Sequence, residues 1–368
     1  MPRLLLGKDP RVNRRKLSLL ASASAVLLTL SACTPPMPES LKVELAERTV
    51  QCGQEFIDLK ILPEMVDVAD FWNSSMDVAC EGSMGLLSSD SYPTSSGLVI
   101  TEEVVTGCEP YASVPIAVDA AVFSFFFSDI YEVNLSPSIL VEIIEGRIGD
   151  WSDPRIQAIN PALELPQLPI NLLSSAPAGA IESMKVWLDF EAGTDVDMSA
   201  FTPSIGSEVD ALYEMVDGDL KLTSFAALQI AAMNYANMML DESDPDSVVL
   251  PDVLTIQTGI GQTLITGEAP FLSFVHDPSI PAQPLPGQFE AIQPWAALYP
   301  VLMYLCGPDD LETRYVARFL LRLDSQGSIS TGVFNPLLEK IRVASVAVVD
   351  DGLPEVEIPE ELLRELEG

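Results

Sequence analysis

The sequence offers few side chains for acid–base or nucleophilic catalysis. Its single histidine is His276, so a Ser/His/Asp set has one candidate base, and no phosphate loop or metal-ligand cluster accompanies it. We therefore predict that the chain is not an enzyme, needs no cofactor and holds no metal. The remaining chemistry is that of cysteine thiols and of polar side chains that could hold a bound solute.

Four cysteines of the body of the chain, Cys52, Cys80, Cys108 and Cys306, form an even set. In an oxidising compartment an even number predicts two disulfides, and the sequence does not choose among the three pairings. The alternative is that some are buried thiols. None has the close spacing of a zinc site, which disfavours metal binding.

The charge is strongly negative and unevenly distributed. Lys and Arg number 19 against 54 Asp and Glu, a net charge of −35. Six basic residues and one acid lie within 1–32, which leaves 13 basic and 53 acidic residues, a net charge of −40, for the rest. Because affinity for nucleic acid comes from clustered Lys and Arg, nucleic acid is excluded as a partner. The 48% content of hydrophobic residues predicts a folded chain.

The N-terminus predicts export and lipid anchoring. A basic segment over 11–16 precedes an apolar stretch over 17–30 that has the length of a signal-peptide core. The stretch ends in Leu30-Ser31-Ala32-Cys33, which resembles the lipobox of bacterial lipoproteins. We predict a signal peptide over 1–32, Cys33 as the lipid anchor and a Pro-rich tether over 33–44. The expected location is the outer face of the cytoplasmic membrane.

Apolar runs and capping signals predict an α/β fold. Residues 114–118 and 121–127 are apolar runs typical of strands buried on both faces. Ser136 and Pro137 predict the N-cap and first position of a helix. A short strand is expected over 168–173, followed by another helix. Strands that alternate with helices indicate α/β architecture.

A long helix is predicted from Leu311 to Leu323. Arg314, Arg318 and Arg322 recur along it at every fourth position. This spacing predicts an exposed helix face whose guanidinium groups pair with nearby acids.

One stretch resembles a known family in detail. Residues 135–173 contain Ile139-Leu140-x-x-Ile143-Ile144-x-Gly146-Arg147-Ile148-x-x-Trp151-Ser152-Asp153-Pro154-x-Ile156, then Asn160-Pro161, Leu165-Pro166 and Leu168-Pro169-Ile170. The pattern resembles the phosphate-binding proteins of bacterial ABC importers. Shorter pieces in the same order extend the resemblance to residues 85–340, more weakly within 195–290. These pieces are Leu87–Asp90, Val114–Asp119, Leu298–Pro300, Phe319–Gly327 and Asn335–Leu337.

The resemblance implies a two-lobed periplasmic-binding-protein fold of type II, with crossing strands between the lobes and a ligand cleft. On this basis we expect lobe I to combine residues 45–122 and 296–345, lobe II to span 123–295, and 346–368 to form an acidic tail. A small-molecule anion or another solute would be the ligand. An ABC permease would be the membrane partner.

The resemblance also places the ligand-binding residues. Ser89 and Asp90 are similar to the family's strand-ending Ser-Asp, and Thr223 is expected near the wall of the second lobe. In the main phosphate-holding loop, the family's Arg, Asp, Ser and Thr are replaced here by Ser174, Ala176, Ala178 and Ala180, while Gly179 is kept. The candidate ligand-binding residues are therefore Ser89, Asp90, Ser174, Ser175, Gly179 and Thr223.

These replacements separate fold from function. Each hydrogen bond to a charged group contributes about 1.5–3 kcal/mol, so the lost contacts disfavour tight phosphate binding. Three interpretations stay open. The first is a binding protein for phosphate or another small oxyanion. The second is the same scaffold for a different, neutral solute, with a cleft lined by Ala176, Pro177, Ala178 and Ala180. The third is a cell-envelope interaction lipoprotein without a small ligand.

Overall fold

The computed structural model describes residues 48–203, 206–330 and 332–356. The predicted signal peptide, Cys33, the tether and residues 357–368 of the predicted tail lie outside the described residues. Within the described part, no helix has the length and apolar character needed to cross a bilayer.

Strands and helices alternate along much of the chain, as the α/β prediction requires. The strands are β1 (Phe56–Lys60), β2 (Gly85–Ser89), β3 (Gly97–Thr101), β4 (Pro110–Phe125), β5 (Val133–Leu135), β6 (Asn171–Ser174), β7 (Asp219–Ser224), β8 (Ala236–Met239), β9 (Val248–Val249), β10 (Thr263–Glu268), β11 (Phe271–His276) and β12 (Leu298–Cys306). The α-helices are α1 (Val66–Ala79), α2 (Pro137–Ile144), α3 (Pro154–Ile159), α4 (Ala178–Ala192), α5 (Glu208–Tyr213), α6 (Phe225–Ala231), α7 (Val253–Ile260), α8 (Leu311–Leu320), α9 (Leu323–Ile329) and α10 (Glu339–Val349). Short 3-10 helices lie at Pro63–Met65 and Pro245–Ser247.

Strand β4 runs through both lobes. Its first part pairs antiparallel with β12, as far as Ala120 opposite Leu298. Its last part, Ala121–Phe125, pairs antiparallel with β7. Because almost all of its side chains are apolar or small, the strand is buried along nearly its whole length. The two-lobed α/β fold predicted from the sequence is confirmed, with β4 as a crossing strand.

Lobe I is built on a mixed sheet with the order β2-β1-β3-β12-β4. The β10–β11 hairpin continues this sheet, because Phe271 of β11 pairs with Ser113 of β4. The structure thus corrects the predicted extent of lobe II, which included residues 263–276. Helix α1 is anchored by the fully buried Trp72, whose Nε1 donates to the Ser325 carbonyl at 3.0 Å.

The predicted long helix over 311–323 is two helices in the structure. Helix α8 ends at Leu320 and α9 begins at Leu323, because Arg322 between them takes an extended conformation. The guanidinium of Arg322 pairs with Asp324. Helix α10 continues to Val349, and its last turn is buried. The predicted boundary of the acidic tail therefore falls inside a helix.

The arginines of α8 pair with acids as predicted, but they are not exposed. Arg314 is 5% exposed, and its Nε lies 2.7 Å from Asp309 Oδ1. Its Nη1 also donates to two carbonyls at the end of α10, each at 3.0 Å. Arg318 is buried too, and its Nε lies 2.9 Å from Asp350 Oδ1. The guanidinium groups therefore tie α8 to the end of α10.

Lobe II is built on β7 and β6, which are parallel neighbours beyond the crossing point of β4. Helix α2 begins as predicted, with Pro137 in its first turn and the Ser136 hydroxyl accepting a backbone N–H. Such a cap contributes about 1 kcal/mol. Trp151 is fully buried and packs against Phe125 and Phe127. The last residues of β4 are therefore part of the core of this lobe.

Two disulfides lie in lobe I. Cys52 is bonded to Cys80, and Cys108 is bonded to Cys306. The first ties the segment before β1 to the end of α1, and the second ties the start of β4 to the end of β12. This is one of the three pairings that the sequence left open.

Candidate functional site

Two carboxyl groups and a phenol meet where β4 passes between the lobes. Asp119 of β4 is fully buried and lies opposite Tyr299 of β12. The Tyr299 hydroxyl lies 3.2 Å from Asp119 Oδ2 and 3.2 Å from Oε1 of Glu102, which follows β3. Because a phenol carries one proton, it donates to one of the two carboxyl groups at a time.

Asp119 also uses backbone donors on both sides of the crossing point. Its Oδ1 accepts from the Ala120 N–H at 2.7 Å and from the Ala226 N–H, in the first turn of α6, at 3.3 Å. These contacts link the crossing strand to lobe II. Because of these contacts, the Ala226 N–H in the first turn of α6 already donates to a carboxyl group of the protein itself.

Glu208 occupies a second set of donors. Its Oε2 accepts from the Thr223 hydroxyl at 2.9 Å and from the Ser224 N–H at 2.8 Å. The Ser175 hydroxyl lies 3.3 Å from the Thr223 hydroxyl. Ser175 and Thr223 come together because each follows one residue of the pair Ser174 and Leu222, the last pair between β6 and β7. The result is a polar chain from Ser175 through Thr223 to Glu208.

Burial raises the pKa of all three carboxyl groups. Desolvation is the largest cause at Glu102, Asp119 and Glu208, and neighbouring negative charges raise the pKa of Glu102 and Glu208 further. Backbone N–H groups lower the pKa of Asp119 and offset part of its shift. The pKa of Glu208 rises to about 7. Around neutral pH the cluster therefore holds protons and presents donors as well as acceptors.

A cavity of about 350 Å³, here called the cleft cavity, lies beside Glu102 and Glu208. Its lining, drawn from both lobes, is Lys60–Glu64, Tyr92, Ile100–Glu103, Ser175, Pro177 and Gly206–Glu208. The described lining contains four glutamates and one lysine. The Lys60 amine donates to the Asp90 carbonyl at 3.0 Å and lies 5.1 Å from the centroid of the Tyr92 ring. Glutamate is therefore the commonest polar residue of the described lining.

The structure brings only some of the predicted ligand-binding residues to this cavity. Ser175 lines it, and Thr223 is buried directly behind it. Ser174 precedes them at the end of β6, where its hydroxyl accepts from the Ala176 N–H at 3.3 Å. Gly179 lies on α4 in the wall of a neighbouring cavity. Their role in binding stays a prediction.

Ser89 and Asp90 lie apart from this group. Both are exposed at the end of β2, and the cleft cavity's described lining includes neither of them. The Ser89 hydroxyl accepts from the Ser91 N–H at 3.1 Å. Lys60, which lines the cavity, connects this turn to it, because its amine donates to the Asp90 carbonyl.

The apolar lining predicted for a neutral-solute cleft is wrong at two positions. Ala176 and Ala180 are fully buried in the core. Pro177 does line the cleft cavity, whereas Ala178 lines the neighbouring cavity. The cleft therefore has a more polar wall than the loop sequence suggests.

Three acidic residues escaped prediction from the sequence. Asp119 carries a usable signal, because it is a single acid inside an apolar run that predicts a doubly buried strand. Glu102 and Glu208 stand among other polar residues and carry no such signal. Among the described residues, no group of three or more His, Cys, Asp or Glu side chains is placed to hold a metal ion.

Comparisons with known proteins give similarities of fold alone. No protein-family model matches the sequence, and a search of curated proteins found no match. Among solved structures, the chain is similar to the periplasmic phosphate-binding protein PfluDING bound with phosphate (13% identity, TM-score 0.49), covering 79% of this chain and 93% of that one. A phosphate-binding protein from Stenotrophomonas maltophilia is similar at 14% identity with a TM-score of 0.47 and the same coverage. An ABC-type phosphate transport receptor from Vibrio cholerae is similar at 11% identity with a TM-score of 0.36, covering 76% of this chain and 99% of that one.

Proposed function

We propose that this protein is a lipid-anchored solute-binding protein that holds a small solute in the cleft cavity. The observation that carries the proposal is that a cavity of about 350 Å³, lined by both lobes, meets the polar chain of Ser175, Thr223 and Glu208. Ligand pockets have volumes of about 300–1,000 Å³ and a few convergent polar groups. Titratable groups with perturbed pKa values often mark such sites.

The carboxyl groups of the cavity favour a neutral polar solute that hydrogen-bonds to them. An anion is tolerated there only while the raised pKa values keep Glu102 and Glu208 protonated. About 4 Å from either group in its ionised form, an anion is destabilised by about 4 kcal/mol at the effective dielectric typical near a protein surface. In addition, the Ser224 and Ala226 N–H groups that an oxyanion would use already donate to Glu208 and Asp119. We therefore place phosphate second to a neutral solute.

The location and the membrane partner belong to the same proposal. Cys33 would carry the lipid and hold the protein at the outer face of the cytoplasmic membrane, where an ABC permease would receive the solute. The two disulfides of lobe I support export, because such bonds persist in oxidising compartments. Mass spectrometry of the membrane fraction tests the anchor, with Cys33→Ala expected to abolish lipidation.

Titration calorimetry against phosphate, sulfate and a panel of neutral sugars, polyols and amides tests the ligand. We expect heat from a neutral solute and none from phosphate at about 1 mM. Glu208→Gln should weaken binding of that solute, whereas Glu164→Gln, at an exposed position outside the cleft, should leave it unchanged. Micromolar phosphate binding that is lost in Asp90→Ala would contradict the proposal and support the oxyanion interpretation. Silence with every compound would support the interaction lipoprotein.

A further inference from the structure

A second cavity, of about 270 Å³, lies on the other side of Glu102 and Glu103. It is bounded by α4, β11 and β12, and we call it the β11 cavity. Its lining is Glu102–Val104, Ala178, Gly179, Glu182, Ser183, Val186, Ser273–His276, Leu298–Pro300, Leu302 and Tyr304. It lies just below the lower end of the usual range of ligand pockets, about 300–1,000 Å³, so a compact ligand would fill it.

The walls and the mouth of this cavity differ in chemistry. Val104, Val186 and Val275 contribute exposed apolar surface, whereas Glu103 and Glu182 are exposed carboxylates. The described lining contains no Lys or Arg. A ligand with an apolar body and a positive charge would match both parts, since the body leaves water while the charge stays near the carboxylates.

His276 lines the same cavity, and one of its ring nitrogens has no hydrogen-bond partner among the described residues. The Gln262 amide nitrogen donates to the Ile280 carbonyl, so the Gln262 oxygen faces His276 Nε2 at 3.2 Å. Nε2 therefore carries the imidazole proton, and Nδ1 is an acceptor. The side chain is 6% exposed, and among the described residues no group donates to Nδ1. Burial lowers the pKa of His276 to about 4, so the ring is neutral at pH 7 and does not repel a cation.

We propose that the β11 cavity binds a small organic cation, a primary ammonium group on a compact aromatic or aliphatic body. The ammonium group lies toward Glu103 and Glu182, and the body packs against Val186 and Val275. This site goes beyond the proposed function, because it occupies a different cavity and takes a ligand of different charge.

Three compounds of one shape test the charge requirement. Titration calorimetry at pH 7 with 2-phenylethylammonium, 2-phenylethanol and phenylacetate should show binding of the ammonium compound, binding of the alcohol weakened about tenfold or more, and none of the carboxylate. Equal binding of ammonium compound and alcohol, or no binding of the ammonium compound at about 10 mM, overturns the proposal.

Variants locate the site. Ala178→Trp should fill the cavity and abolish binding, whereas Ala162→Trp, at an exposed turn, should not. Glu182→Gln should weaken binding about fivefold, and Glu164→Gln should have no effect. Thermal unfolding of each variant shows whether it is folded. Loss of binding in Glu208→Gln but not in Ala178→Trp would place the cation in the cleft cavity and overturn the proposal.

The single histidine gives a direct readout. The imidazole nitrogen resonances of ¹⁵N-labelled protein belong to His276 alone, and 2-phenylethylammonium should shift that of Nδ1. Calorimetric binding without any change in the His276 resonances would exclude this cavity. Because a neutral solute of the cleft cavity would respond to Glu208→Gln and not to Ala178→Trp, failure of this proposal is distinguishable from failure of the proposed function.

Discussion

Two regions of the molecule bury titratable groups and stabilise them differently. One is the C-terminal helices α8 and α10 of lobe I, and the other is the cleft cluster, formed by Glu102, Asp119, Glu208 and Tyr299. In the helices each buried cation has an acid beside it. Arg342 is 2% exposed, its Nε lies 2.8 Å from Glu339, and its Nη1 donates to the Leu321 carbonyl at 2.9 Å. In the cleft cluster, Glu102 and Asp119 lie beside each other and a phenol. The chain has few basic residues and places several of them beside acids in lobe I. In the cleft, burial raises the pKa values of the acids, so protonation neutralises them.

The largest expected effect comes from breaking a pair in the helices. Arg342→Met should destabilise the protein by about 3 kcal/mol, because the Leu321 carbonyl loses its donor in a buried place. Urea unfolding measures the change. Arg147→Met removes a guanidinium whose side chain is 53% exposed, and should have little effect. Equal losses in the two variants would show that burial of the Arg342 guanidinium has no special role.

The two regions should also respond oppositely to pH. Arg314 and Arg342 lower the pKa of Asp309 and Glu339, so the stability from these pairs is present at neutral pH and lost as the pH falls below about 4. Raised pKa values in the cleft make folding take up protons, so stability falls as the pH rises from about 4 towards 7.

We therefore expect a maximum of stability near pH 4 and a loss on the order of 2 kcal/mol by about pH 8. Urea unfolding at constant ionic strength across this range measures it. Stability that is higher at pH 8 than at pH 5 would contradict the burial of protonated acids in the cleft.

A substitution with a smaller expected effect separates the contribution of a buried cleft acid from that of the chain's overall negative charge. Asp119→Asn keeps an acceptor for the Ala120 N–H and removes the charge, so it should stabilise the protein by about 1 kcal/mol at pH 8 and little at pH 5. Asp90→Asn removes the same charge from an exposed turn and serves as the control. A similar stabilisation in both variants would assign the pH dependence to net charge.

The smallest expected effect is at Glu208, which is half-buried. Solvent screens its charge, so Glu208→Gln should stabilise the protein at pH 8 by less than about 1 kcal/mol. Differential scanning calorimetry of this variant beside Glu164→Gln measures the difference. A stabilisation larger than that of Asp119→Asn would show that ionised Glu208 destabilises the protein more than ionised Asp119 does.

Local patterns in the sequence predicted local structure well. The apolar runs around Asp119 predicted a doubly buried strand, and Ser136 with Pro137 predicted the start of α2. The helix over 311–323 was predicted too long, because the break falls at Arg322, which is extended in the structure although no Gly or Pro marks the position in the sequence. The burial of Arg314 depends on α10, which is distant in the sequence.

The site was less accessible to prediction for the same reason. Ser175 was proposed from the loop that follows β6 and Thr223 from its expected place near the wall of the second lobe, and the structure places their hydroxyl groups 3.3 Å apart. Glu102 and Glu208 reach the cleft from separate loops, and nothing in their neighbouring residues marks them. Polar residues on loops become a site only when the strands bring the loops together.

The Cys108–Cys306 disulfide has a mechanical consequence. It joins the start of β4 to the end of β12, and the Gly307 N–H donates to the Glu109 carbonyl beside it at 2.9 Å. The disulfide therefore fixes the two strands to each other at the end that lies away from the crossing point. At the other end β4 passes from β12 to β7 at Ala120 and Ala121, so the unfastened end of the strand pair and the buried Asp119 occupy the same few residues.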